Sequence, residues 1–173
     1  MTGTSRRMSR ELLLKLELLS DPNMLCVVRG AMERLTETFG FASADCRSVT
    51  RAVDEAITNI MRHAYGNKPG RPIEVIVRRL RKTGSGERRE GFEVVLSDRG
   101  PAVDPSKMRG RPLDEIKPGG LGLHFIRQSM DVVEFKRARG ANLLRMVKYL
   151  QPAGVVEAGK RREDLADLGP ANR

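Results

Sequence analysis

Three polar residues stand four apart in the segment DEAITNIMRHAYG: Glu55, Asn59 and His63. On a helix that interval stacks them on one face. A carboxylate one turn from an amide can take a proton from a hydroxyl or a water. The amide oxygen can meanwhile ligate Mg²⁺, a hard cation that accepts oxygen donors and keeps waters and substrate phosphates in its shell. Asparagine does this without adding negative charge beside a polyphosphate. The plainer account of the same stripe is a solvated helix face, which describes most such patterns.

Two glycine-bearing turns offer further chemistry. Asp98-Arg99-Gly100 follows the apolar run Phe92 to Ser97. An acceptor fixed at a strand end beside a tight turn can take a hydrogen bond from an exocyclic amine such as that of adenine, although the same pattern also makes an ordinary turn. Farther on, Lys117-Pro118-Gly119-Gly120-Leu121-Gly122-Leu123 enters a helix. Unobstructed backbone N–H groups at the positive end of a helix suit phosphate; a plain linker ending in a helix start is the other reading. The segment is no Walker loop, because Gly-x-x-x-x-Gly-Lys-Ser/Thr is absent. It is no dinucleotide fingerprint either, because Gly120-x-Gly122 is followed by Phe125 and no strand precedes it. Lys117, with Arg109 and Arg111 earlier in the same loop, reads as a cation for phosphate oxygens or, equally, as a solvated side chain.

The elements that must position these residues follow from periodicity. Leu12, Leu14, Leu16 and Leu18 alternate with Lys15 and Glu17 on the other side, which predicts a strand over 12–19. Ser20-Asp21-Pro22 can cap a helix through about Phe39, closed by Gly40, with Leu25, Val28, Met32 and Leu35 on its apolar side. A second helix opens at Ser43 or Ala44 and runs to about Tyr65, before Gly66-Asn67-Lys68-Pro69-Gly70. Its apolar arc is Val49, Val53, Ile57, Ile60, Met61 and Ala64; Arg51, Glu55, Asn59, Arg62 and His63 lie opposite. Ile73 to Leu80 and Phe92 to Ser97 read as a hairpin, with the basic run Arg78-Arg79-Leu80-Arg81-Lys82 leading to its solvated tip. A helix over about 121–130 and strands near 132–136 and 143–150 complete the order. The stretch from Asp98 to Gly119, rich in Pro and Gly, reads as a lid or binding loop, or else as a disordered segment. Hairpins alternating with helices predict an α+β fold, a two-layer sandwich whose mixed, mostly antiparallel sheet carries helices on one face.

With 173 residues, 39% of them hydrophobic and 31% charged, the chain suits one globular domain. We read 1–9 as an N-terminal extension, 10–150 as the domain and 151–173 as a flexible tail. No apolar run reaches the roughly 20 residues needed to cross a bilayer, and the first residues lack a signal-peptide pattern, so the expected location is cytoplasmic without membrane contact. Cys26 and Cys46 form neither a disulfide framework nor a metal motif. The net charge of +10 attracts phosphate of any kind, yet only 4% of residues are aromatic, few platforms for stacking bases. Direct nucleic-acid binding is not expected; a nucleotide or an acidic partner uses the same field.

Glu55-x-x-x-Asn59 on a helix, Asp98-x-Gly100 after a strand and Gly120-x-Gly122 opening a helix occur in the order that resembles the Bergerat-fold ATPases, including gyrase-type topoisomerases and histidine kinases. More narrowly, EAITNIMRHAYG, LSDRGPAVDP and GGLGLHFIRQSMDVVEF are similar to the bacterial anti-sigma-factor serine/threonine kinases over about residues 10–150. The resemblance implies ATP and Mg²⁺ as cofactors, Glu55 as general base toward a partner's hydroxyl, and Asn59 as metal ligand. It implies His63 near the phosphates, Asp98 and Gly100 at adenine, and Lys117, Gly120, Leu121 and Gly122 in the phosphate-facing lid and helix start. It further implies a homodimer, a sigma factor held in check, and an anti-sigma-factor antagonist as phosphoacceptor. The runner-up is an ATP-binding partner-switching regulator that transfers little phosphate. Two departures stand out. Gly140-Ala141-Asn142-Leu143 lacks the threonine that many members place near the final strand to help seat adenine, and the lid gives no secure match for the cation on the γ-phosphate.

Overall fold

The computed structural model describes residues 7–84, 87–102 and 121–151. In chain order these form β1 (Arg7–Leu19), a 3-10 turn (Pro22–Met24), α1 (Leu25–Thr38) and α2 (Ser43–Asn59), which a π-helical turn (Ile60–Ala64) extends. Then come β2 (Pro72–Gly84), β3 (Glu87–Asp98), α3 (Leu121–Ser129), β4 (Val132–Ala138) and β5 (Ala141–Tyr149). The residues read as a tail, apart from Gln151, lie outside the described residues, as does most of the stretch read as a lid.

Local signals account for the element ends. The Asp21 side chain accepts from the Asn23 backbone N–H at 2.9 Å, with Pro22 beginning the turn that leads into α1. Gly40 closes that helix at φ 79°, and Gly66 and Asn67, at φ 57° and 59°, end the π-helical turn. Between β4 and β5, Arg139 and Gly140 both take positive φ, the requirement of a two-residue hairpin loop that follows strand twist.

The sheet order is β1-β2-β3-β5-β4 and every neighbouring pair is antiparallel. Where a mixed, mostly antiparallel sheet was expected, the sheet is antiparallel throughout among the described residues. Two helices between β1 and β2 return the chain in the opposite sense. The single-helix crossover through α3 makes β4 parallel to β3, but β5 is inserted between them.

One face of the sheet is covered. Val75 and Val77 of β2, Val94 and Leu96 of β3 and Met146 of β5 share a core with Val28 and Met32 of α1 and with Val49, Val53 and Ile57 of α2. The apolar arc assigned to the second helix is thus its buried face. Phe39 and Phe41 stand edge-on to Phe92 and fill the core near the β2–β3 hairpin.

Two readings need correction. Strand β1 begins at Arg7, and a bulge between Leu12 and Leu14 changes its phase. Leu12 pairs with Arg78 on the uncovered face and is 59% exposed, while Leu14, Leu16 and Leu18 pair with Val77, Val75 and Ile73 on the core face. The basic run is not wholly a solvated tip either. Arg78 and Arg79 sit within β2, and Arg79 stacks over the Phe39 ring at 5.1 Å. Arg78 instead meets Glu93, a carboxylate 1% exposed on the uncovered face, at 3.2 Å, alongside Arg145 at 2.6 Å and Arg10 at 3.7 Å. Burial alone raises the Glu93 pKa, but the hydrogen bonds from Arg145 and Arg78 and the charge of Arg10 outweigh it and hold the carboxyl below its ordinary value.

Candidate active site

The polar stripe of α2 lies beneath α3. Glu55 and Asn59 are half-buried, and the first turn of α3 presses on them at Gly122. A Cβ on Gly122 would stand 2.9 Å from Glu55 Oε2 and 3.3 Å from Asn59 Nδ2, so a side chain there would displace the carboxylate from its present position. One helical turn later the Phe125 ring receives the Arg51 guanidinium at 4.3 Å, while Ile126 and Met130 enter the core. Arg51 is one turn before Glu55, so two contacts, Arg51 on Phe125 and Gly122 over Glu55 and Asn59, seat α3 along the stripe. The positive end of its dipole is brought to a carboxylate and an amide. A merely solvated face does not describe this arrangement.

The structure places the remaining expected residues unequally. His63 is exposed on the π-helical turn and takes part in none of the hydrogen bonds or ion pairs among the described residues. Leu121 opens α3. Lys117 and Gly120 lie outside the described residues, as do Arg109 and Arg111.

The other turn is built from three adjacent strands. Asp98 ends β3 and is 6% exposed. Its Oδ1 accepts from the Gly100 N–H at 2.8 Å, a tight turn closed by the aspartate's own side chain, and from Asn142 Nδ2 of β5, also at 2.8 Å. Asn142 Nδ2 donates to the Pro101 carbonyl at 3.0 Å as well, and Asn142 Oδ1 accepts from Arg137 of β4 at 2.6 Å. Gly100 is needed for closeness: a Cβ there would lie 2.7 Å from Ala64 Cβ and 3.0 Å from the Ala64 carbonyl. The buried Tyr65 hydroxyl completes the clamp, donating to the Pro72 carbonyl and accepting from the Arg99 N–H at 2.9 Å. Burial is the main cause that raises its pKa, which keeps the phenol a donor. The end of α2 thereby reaches both sites, with Glu55 and Asn59 before the π-helical turn and Ala64 and Tyr65 at its end.

These donors fit a nucleotide carrying a hard cation. Among the described residues no group of three His, Cys, Asp or Glu side chains could cage a metal. One carboxylate and one amide beside a glycine helix start match instead a cation held largely by substrate phosphates. The sequence alone missed Arg51, Tyr65, Arg137 and Asn142. Tyr65 stands in the quoted helix motif, but its partner strand could not be read from spacing.

The histidine kinase-like ATPase domain family matches residues 18–148. The chain belongs to that family. Among curated relatives of this histidine kinase-like ATPase, the serine-protein kinase RsbW of Halalkalibacterium halodurans is 30% identical over 135 residues, 72% of this chain and 75% of that protein. RsbW of Bacillus cereus (strain Q1) is 27% identical over 143 residues, 78% of this chain and 83% of its own. Protein serine kinase is accordingly the enzyme class of the chain, and ATP is the nucleotide that such a domain binds. Among solved structures, a chain of the SiaB-SiaC complex from Pseudomonas aeruginosa superposes with a TM-score of 0.52 at 12% identity, covering 81% of this chain and 91% of that one. At that identity the likeness concerns the fold.

Proposed function

We propose that this protein is an ATP- and Mg²⁺-dependent kinase and anti-sigma factor that phosphorylates a serine or threonine of an anti-sigma-factor antagonist and sequesters a sigma factor until that antagonist competes for it. The observation that carries the reading is the approach of Gly122 to Glu55 and Asn59, which joins a candidate base, an oxygen ligand and a helix N-terminus in one place.

Glu55 accepts the proton of the partner's hydroxyl as that oxygen bonds to the γ-phosphorus and the bond to the β,γ-bridging oxygen breaks, releasing ADP. Asn59 presents its amide oxygen as a neutral ligand. When bound, Mg²⁺ supplies charge neutralisation on the phosphate oxygens. The first turn of α3 turns backbone N–H groups toward the same charge, and Asp98 orients the base by accepting from its exocyclic amine. His63, Lys117, Gly120 and Leu121 complete the proposed nucleotide-binding set, Lys117 as a cation for phosphate oxygens. A homodimer is part of this reading; Leu12 and Leu19, 59% and 57% exposed, lie on the sheet face that no described helix covers.

The test is transfer of radiolabelled γ-phosphate to a co-encoded antagonist, with a pull-down in the presence and absence of ATP-Mg²⁺. Labelled antagonist and a retained sigma factor are expected. ATP-dependent retention without label would leave a regulator that holds its partners by shape alone.

A further inference from the structure

Arg137, Asn142 and Asp98 occupy one register row across β4, β5 and β3. Their polar atoms form a directed relay. Nδ2 of Asn142 faces Asp98 Oδ1 and the Pro101 carbonyl, both acceptors, so its amide can be oriented only one way; Arg137 holds the opposite side by donating to Asn142 Oδ1 at 2.6 Å. Arg137 also reaches the Gly100 carbonyl at 3.3 Å, tying the relay to the turn itself.

The consequence falls on the two oxygens of Asp98. Oδ1 is filled by two donors, the Gly100 N–H and Asn142 Nδ2. Oδ2 accepts no hydrogen bond among the described residues, yet it is not sealed in: the one wholly buried side-chain polar atom without a partner there is the Thr50 hydroxyl oxygen. The carboxylate therefore offers a single acceptor. A free carboxylate can pair through both oxygens with the N1–H and 2-amino group of guanine, two parallel donors. A carboxylate with one oxygen filled can make only one such bond, which suits the lone 6-amino donor of adenine and leaves a guanine donor unpaired.

We propose that Asn142 and Arg137 are specificity-determining positioning residues, which present one oxygen of Asp98 and thereby make the pocket select a 6-aminopurine over a 2-amino-6-oxopurine. This rests on the reading of Asp98 as the acceptor for the base amine. Neither residue touches the reacting phosphate; both act through Asp98.

The test uses the full chain and three probes, ATP, GTP and purine riboside 5′-triphosphate, which lacks any exocyclic amine, each titrated against a fluorescent ADP analogue. Wild type is expected to bind ATP about tenfold or more tightly than either competitor, the range of a hydrogen bond to a charged group. Asn142→Leu should cut the ATP-to-GTP ratio by about tenfold while leaving affinity for purine riboside triphosphate within twofold. Arg137→Met, at an exposed position, should cut the ratio by about threefold and decides the matter if Asn142→Leu does not fold, as read by circular dichroism. Equal wild-type binding of ATP and purine riboside triphosphate would overturn the Asp98 reading, and this inference with it. A wild-type preference for ATP whose ratio to GTP survives in the folded variants, even with all three affinities lowered together, would overturn the relay and leave the Asp98 reading standing.

Discussion

At the end of the site proposed for the nucleotide base Asp98 Oδ1 has two donors and Asn142 is bonded on both sides, whereas at the end proposed for the phosphates the side chains of Glu55 and Asn59 make no hydrogen bond among the described residues. Both ends are crowded by a glycine, Gly100 against Ala64 and Gly122 against Glu55. The difference lies in what is left over. The base end commits its hydrogen-bonding capacity before any ligand arrives, which fixes one acceptor for recognition. The end proposed for the phosphates leaves the lone pairs of a carboxylate and an amide unused, as the proposed roles toward a metal, a hydroxyl proton and the charge that develops during transfer require.

The strongest way to break this comparison is Glu55→Gln. Phosphoryl transfer should fall by about 10²–10⁴-fold, the contribution of a general base, while nucleotide affinity stays within a few-fold; unchanged transfer in a single-turnover assay would remove the base from the carboxylate. Next comes Gly122→Ala. Its Cβ would fall 2.9 Å from Glu55 Oε2, so the carboxylate must swing aside from its place, and transfer should drop by about tenfold with the loss carried mainly by kcat. Gly100→Ala meets backbone as well as side chain at Ala64 and should cost about 1–3 kcal/mol in a denaturant melt, together with nucleotide affinity.

Glu93→Gln sharpens the contrast by disturbing neither end. With its folded pKa held below the unfolded value of about 4.3, Glu93 contributes stability that is present above that pH and is lost as pH falls through the folded value. The variant should therefore melt a few degrees below wild type at pH 7, about 1 kcal/mol for a domain of this size, and the gap should close in acid below about pH 4 with nucleotide selectivity unchanged.

Much of the grouping at the proposed phosphate end was legible because its spacing is local. Glu55 and Asn59 are one turn apart, so helical spacing alone puts them on one face, and the glycines ahead of α3 announce a helix start. The base end is legible only at Asp98 and Gly100. Asn142 is 44 positions from Asp98 in sequence, and the register that sets Arg137, Asn142 and Asp98 in a row depends on which strand is inserted between β3 and β4. Periodicity gives the faces of a strand but not its neighbours. The bulge that turns Leu12 outward escaped for a related reason, since four alternating leucines read as one face until a single unpaired residue shifts the phase.

The π-helical turn Ile60–Ala64 gears the two ends together. Its ring is closed by a bond from the Tyr65 N–H to the Ile60 carbonyl at 3.0 Å, one residue wider than an ordinary helical turn. The wider turn takes up one residue more than standard winding does, so forcing the same length of chain into ordinary helical winding would swing everything beyond it by about 100°. Glu55 and Asn59 would stay where they are, while Ala64 and Tyr65 would rotate away from the Gly100 turn. The width of this single turn thus sets the angle at which the proposed seat of the nucleotide base is aimed relative to the proposed point of reaction.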